Sequence, residues 1–200
     1  MKIFVTQRID LFGNYNERRD SIDLKWYEFF ENIGITPILV PNNLEMAQDL
    51  FSTVNCSGLL LTGGNTLAHL DGGDAPERDE VERFLLREFL QKKMPVIGVC
   101  RGFHMIQHYF GGPIEKINGY SNALHTCDFT DQTSRRVTTH CNYGFYKTPL
   151  TISGIDENGV IMSLENKSKN IYGQLWHPER DVNKSEQDVK KFKIIFGVNE

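Results

Sequence analysis

Short apolar runs bounded by turn residues recur along the chain, with segments of helical period between them. Residues Lys2–Thr6 (KIFVT) and Thr36–Val40 (TPILV) predict strands, and residues 58–62 (GLLLT) form the continuous apolar run of a strand covered on both faces. Residues 21–32 place Trp26, Phe29, Phe30 and then Ile33 at helical spacing, with Ser21 as N-cap and Gly34 as the stop. A short helix is predicted over residues 44–51. The strongest helix is expected over residues 76–93, with Pro76 at its start, acidic residues in its first turns and Lys92-Lys93 at its end. Residues 96–99 then run as a strand into Cys100, and an amphipathic helix follows up to Gly111-Gly112.

Beyond Gly112 the texture changes. Residues 113–158 are polar and weakly periodic, which predicts loops and short antiparallel strands. Residues 160–164 and 170–176 read as a strand pair, and residues 185–196 as a closing helix. Alternation of this kind predicts an α/β fold, a three-layer α/β/α sandwich with a mainly parallel central sheet. With no internal repeat or linker, residues 1–200 read as one domain. Ligands of such sheets collect at the carboxyl ends of the strands, where Thr62-Gly63-Gly64 and Cys100 both fall.

Composition narrows the function classes. With 26 acidic against 22 basic residues and a net charge of −4, nothing draws the chain to phosphate backbones, so no nucleic-acid partner is expected. No run approaches the roughly 18 apolar residues of a membrane span, and the opening MKIFVTQRID lacks a signal-peptide core; a cytoplasmic protein with no membrane partner is the expectation. Cys56, Cys100, Cys127 and Cys141 are scattered without a C-x-x-C pair, which predicts free thiols and no metal.

Three segments carry chemistry. Gly98-Val99-Cys100-Arg101-Gly102 has the G-x-nucleophile-x-G form of a tight strand-to-helix turn that lifts a nucleophile above the sheet. A helix starting at Arg101 would favour the thiolate and aim the Arg101 N–H at an oxyanion. A buried thiol that merely closes a strand would have the same local form. In His177-Pro178-Glu179, Pro178 favours extended backbone at His177, and side chains two apart in extended chain face one side. Glu179 could thus orient His177 as a base, though a hydrogen-bonded turn histidine fits the same residues. After the third strand, Gly63-Gly64 allows close backbone approach to a ligand, with the Gly64 N–H as a second oxyanion donor, or else forms a plain turn.

Taken in order, the Gly-Gly strand end, the elbow cysteine and the His-Pro-Glu segment resemble the class I glutamine amidotransferase-like family, in its peptidase C26 (γ-glutamyl hydrolase) branch. Thr6-Gln7-Arg8, Asn16 to Asp20, Pro41-Asn42 and Pro76 to Asp79 match that branch too, whereas Thr139-His140-Cys141-Asn142-Tyr143 departs from its His-His-Gln-like segment. The resemblance implies a cofactor-independent hydrolase of a γ-glutamyl amide, with Cys100 as nucleophile, His177 and Glu179 as base and orienter, and Gly64 and Arg101 as oxyanion donors. Gly63, Arg19, Arg78 and Asp79 are the candidates to meet the glutamyl group, Arg19, Arg78 and Asp79 by charge. His104 and His108, one helical turn apart, read as structural or surface histidines. The expected partner is a small-molecule γ-glutamyl substrate whose leaving nitrogen is ammonia, an amine, an amino acid or a nucleotide-linked phosphoramidate. Two rivals stand beside this: a glutaminase subunit that passes ammonia to a synthetase, and a catalytically silent binding module. Nothing in the chain sets its oligomeric state, and a homo-oligomer is left open.

Overall fold

The structure, a computed structural model, describes residues 1–181 and 186–198. In chain order the elements are β1 (Lys2–Thr6), β2 (Arg8–Phe12), β3 (Glu17–Ser21), α1 (Lys25–Ile33), β4 (Thr36–Val40), α2 (Leu44–Thr53), β5 (Leu59–Leu61), α3 (Pro76–Gln91), β6 (Val96–Val99) and α4 (Arg101–Tyr109). Then follow β7 (Glu115–Lys116), β8 (Ser121–Phe129), β9 (Ser134–His140), β10 (Tyr143–Gly144), β11 (Ile152–Asp156), β12 (Ile161–Asn166), β13 (Ile171–Gln174) and α5 (Glu186–Phe196).

A nine-stranded sheet in the order β4-β1-β5-β6-β13-β12-β11-β8-β9 organises the molecule around the expected parallel α/β core. From β4 to β13 the neighbours all pair in parallel. β1, β5 and β6 are buried over nearly their whole length because helices cover both faces, α1 and α5 on one side and α2, α3 and α4 on the other. Two aromatic clusters fill these layers: Trp26, Phe29 and Phe30 of α1 meet Phe192 of α5, and Phe4 of β1 packs on Phe51 and Phe89 across the sheet. Beyond β13 the pairing turns antiparallel.

Three expectations are corrected. Ser21 does not cap α1. It ends β3 of a hairpin with β2, where its hydroxyl donates to Asp10 Oδ2 at 2.7 Å, and α1 starts only at Lys25. The polar stretch 113–158 contains not only short pieces but a long hairpin, β8–β9, that extends the main sheet. The two C-terminal strands pair as expected, the first one residue longer and the second three residues shorter than predicted, while the expected start of the last helix at Ser185 lies outside the described residues.

β5, β6 and β13 are adjacent and parallel, with Leu61 beside Gly98 and Val99 beside Gln174. Their carboxyl ends therefore open on one edge, and the chain leaving them carries Gly63-Gly64, Cys100 and His177. Topology alone brings together three segments that lie up to 114 positions apart, from residue 63 to residue 177.

Candidate active site

Cys100 stands between β6 and α4 with φ 53° and ψ −106°, a conformation that costs a non-glycine residue about 1–3 kcal/mol. Its flanking glycines are sterically required. A Cβ on Gly98 would lie 2.5 Å from the Gly102 carbonyl oxygen, and one on Gly102 would lie 2.1 Å from that of Leu61. The turn is held by the Cys100 N–H donating to Gln174 O (2.9 Å) and by Cys100 O accepting from the His104 N–H (3.1 Å). The cysteine is thus presented by the tight turn that its sequence pattern predicts.

His177 follows β13 and is buried. Its Nδ1 lies 2.6 Å from Glu179 Oε1, and its ring is hydrogen-bonded to the Cys100 thiol. The pair meets across the start of a 3-10 turn, Pro178–Asp181, rather than along the extended chain that Pro178 predicts. Burial alone pushes the thiol up. The attraction and hydrogen bond of His177, helped by the Arg101 N–H, outweigh it and leave Cys100 below its ordinary value of 9.0. Burial pulls His177 down, but the Cys100 and Glu179 charges prevail and raise it to about 10. Both directions favour a thiolate–imidazolium pair at neutral pH.

Gly63 and Gly64 pass directly over this pair. A Cβ on Gly63 would meet His177 Cε1 at 2.5 Å and Cys100 Cβ at 3.4 Å, so only hydrogen leaves room for the imidazole. Gly64, at φ +84°, lines the same cavity as Cys100 and Arg101. That cavity has a volume of about 290 Å³, with His104, His140, Asn142 and Arg180 in its wall. A larger cleft of about 840 Å³ lies on the α2–α3 side, where His69 and His108 stack 4.0 Å apart, and it contains neither Cys100 nor His177.

Three expected glutamyl-binding residues are placed elsewhere. Arg78 is fully buried, and its guanidinium donates to the carbonyls of Thr62 (2.7 Å), Gly63 (3.0 Å) and Gly64 (2.8 Å) and to Glu82 Oε1 (2.8 Å). Asp79 accepts from the Ala68 N–H at 2.8 Å and pairs with the Arg101 guanidinium, which also binds Glu82. These charges brace the Gly63-Gly64 loop from behind, leaving Arg101 only its backbone N–H for the cavity. Arg19 lies on the exposed hairpin, donating to Glu17 at 2.8 Å and stacking over Phe12, outside the cavity wall.

The wall also holds residues to which the sequence pattern assigns no part in the site, among them His104, read as structural or surface. His104 sits one helical turn after Cys100, a spacing that places both on one face; burial and the Arg101 charge push it down to about 4, and its Nε2 is buried without a hydrogen-bond partner among the described residues. His140, Cys141 and Asn142 arrive from the end of β9, the segment that departs from the family pattern. The His140 ring meets that of His177 edge-on at 5.7 Å, and burial, Arg180 and His177 together lower its pKa.

The peptidase C26 family model matches residues 5–147. The chain is 27% identical over 189 residues to the gamma-glutamyl-CDP-amidate hydrolase of Campylobacter jejuni, covering 90% of this chain and 91% of that protein. It is also 27% identical over 142 residues to the glutamine-hydrolyzing GMP synthase of Petrotoga mobilis, covering 66% of this chain but 26% of that protein. The solved structure of a glutamine amidotransferase from Thermotoga maritima superposes with a TM-score of 0.66 at 14% identity, over 99% of this chain and 86% of that one, which establishes the likeness of fold.

Proposed function

The chain belongs to the peptidase C26 family, and we propose that it hydrolyses a γ-glutamyl amide through a Cys100 thioester. The observation that carries this is the Cys100–His177–Glu179 relay: a cysteine strained upward on an elbow, hydrogen-bonded to a histidine whose far nitrogen is held by a buried carboxylate. The thiolate attacks the γ-carbonyl carbon, and the Gly64 and Arg101 N–H groups receive the developing oxyanion. Imidazolium His177 gives its Nε2 proton to the leaving nitrogen, and the C–N bond breaks as the thioester forms. Neutral His177 then takes a proton from water, whose oxygen adds to the thioester and releases glutamate and the Cys100 thiolate. Arg180, a cation of the cavity wall, pairs with the substrate α-carboxylate, and Asp74, in the same wall, with the α-ammonium.

For the leaving group, likeness to the Campylobacter protein over nine-tenths of both chains favours γ-glutamyl-CDP-amidate, with cytidine diphosphoramidate as the second product. The GMP synthase likeness favours a second reading, a glutaminase that hands ammonia to a synthetase. Glutamate release by the isolated chain over a panel of γ-glutamyl compounds, glutamine included, separates them. Turnover of γ-glutamyl-CDP-amidate in preference to glutamine, without a second protein, is expected. Turnover of glutamine alone, and only with an added synthetase, would overturn the stand-alone reading.

A further inference from the structure

Within the antiparallel half, His125 Nδ1, Asp156 Oδ2 and Glu157 Oε1 converge, with the Tyr120 hydroxyl donating to Asp156 Oδ2. His125 Nδ1 lies 3.5 Å from Glu157 Oε1 and 3.6 Å from Asp156 Oδ2, both too long for a hydrogen bond, and it has no partner among the described residues. The His125 side chain is only 9% exposed. Its other nitrogen, Nε2, lies 3.2 Å from the Gly119 carbonyl, an acceptor that requires the ring proton there. That tautomer turns the Nδ1 lone pair toward two carboxylates, an arrangement that repels unless something positive enters it.

We infer that His125, Asp156 and Glu157 form a binding site for a zinc-like divalent cation. The geometry fits the ion: bonds of about 2.0–2.2 Å at tetrahedral angles set ligand atoms roughly 3.3–3.6 Å apart. The three ligand atoms lie within 4.8 Å of one another, so a small inward movement of one carboxylate completes the set. An imidazole with two carboxylates favours zinc or cobalt over calcium or magnesium, which prefer all-oxygen shells. The surroundings are those of a supported site. Besides the carbonyl on Nε2, the Tyr120 hydroxyl donates to Asp156 Oδ2, and Asp156 Oδ1 accepts from the N–H groups of Asn158 (3.0 Å) and Val160 (2.8 Å). Glu157 Oε2 is held by the Thr126 N–H at 3.1 Å, which leaves Oε1 for the ion. The cysteines take no part, which is why their spacing gives no sign of it.

Occupancy would bear on the active-site wall. The Tyr120 ring stacks on His125 at 4.0 Å, and the Tyr120 carbonyl accepts from the Cys141 N–H (3.1 Å) and the Thr139 hydroxyl (2.8 Å). A cation that fixes His125 thereby fixes the turn from which His140 to Asn142 reach the cavity.

The test is titration of chelator-treated full-length protein with Zn²⁺ and with Co²⁺, followed by calorimetry and visible absorption. One ion per chain is expected, with the d–d bands of a tetrahedral nitrogen–oxygen site and no thiolate charge-transfer band. Glu157→Gln, at a half-exposed side chain that leaves folding intact, should weaken binding at least about tenfold, as should His125→Asn where it folds. Cys100→Ser should bind as the parent does. Absence of stoichiometric binding would overturn the inference, leaving a proton on Nδ1 as the neutralising charge. Binding that survives Glu157→Gln, or that disappears in Cys100→Ser, would equally overturn it.

Discussion

The two halves of the central sheet do different work. From β4 to β13 the strands are parallel, and the central β5, β6 and β13, buried throughout, end together under Gly63-Gly64, Cys100 and His177. From β12 to β9 they are antiparallel, the outer β8–β9 hairpin is half exposed, and its end delivers His140, Cys141 and Asn142 to the rim of the cavity. Under the proposed function, the parallel half carries the reacting groups and the loops with Arg180 and Asp74, and the more solvated half adds His140 to Asn142 to the wall. The first demands positions held to fractions of an ångström, and the second tolerates change without loss of the fold.

The division breaks most visibly at the nucleophile. Cys100→Ala should lower turnover of any γ-glutamyl substrate by about 10,000-fold or more while leaving the circular dichroism unchanged, because the triad acts as a unit. Residual turnover within tenfold of the parent would place the chemistry elsewhere. The next effect falls on stability. Glu82 is buried between the Arg78 and Arg101 guanidiniums and accepts from the Thr6 hydroxyl at 2.7 Å. Burial alone would push its carboxyl up; the Arg101 and Arg78 charges overcome that and hold it down. Glu82→Gln leaves two guanidiniums short of a counter-charge and should cost about 3–5 kcal/mol, read from denaturant melts. A loss below about 1 kcal/mol would mean that the network behind the Gly63-Gly64 loop is not what supports the parallel half.

Legibility in the sequence divides along the same line. Runs such as 58–62 and 96–99 announce themselves because a strand buried on both faces must be apolar throughout. In β8 and β9 the buried positions are His125, Cys127, Val137 and Thr139, of which only Cys127 and Val137 are apolar, so alternation carries little signal and the long hairpin reads as loops. The Cys100 elbow is readable because its spacing encodes its geometry, whereas for His177 and Glu179 the closeness in sequence reveals the pair but not the 3-10 turn that joins it. Arg78 and Asp79 mislead for the opposite reason. Their partners, the carbonyls of 62–64 and the Arg101 guanidinium, are distant in sequence, so a charged helix start looks available to substrate until the fold closes over it. Ser21 misleads similarly, since its hydroxyl is claimed across the hairpin by Asp10 rather than by the helix that follows.

Smaller effects sharpen the contrast between reacting and recognising groups. With the Cys100 pKa lowered, alkylation at Cys100 should fall less steeply from pH 9 to 7 than that of a thiol of pKa near 8.5, which slows roughly 25-fold. Burial pushes Cys127 up to about 12 and Cys141 higher still, so neither should compete, and mass spectrometry of the labelled protein reads this directly. A steep fall between pH 9 and 7 would dissolve the ion pair with His177. On the antiparallel side, Asn142→Ala should raise KM about tenfold with kcat nearly unchanged, the pattern of a group that binds ground and transition states alike. An equal fall in kcat would move Asn142 among the reacting groups and erase the division.

The smallest expected effect comes from the hairpin of β2 and β3. Arg19 is about half exposed, pairs with Glu17 and stacks on Phe12, all on the hairpin's own surface. Exposed pairs of this kind are screened and contribute little, so Arg19→Ala should leave melting within experimental scatter of the parent. Its KM should also stay within twofold, because the side chain lies outside the wall that Asn142 and Arg180 line. The value of this measurement is its sign against Asn142→Ala. If Arg19→Ala raises KM more than Asn142→Ala does, the hairpin folds over bound substrate and joins Arg180 and Asp74 in recognising it.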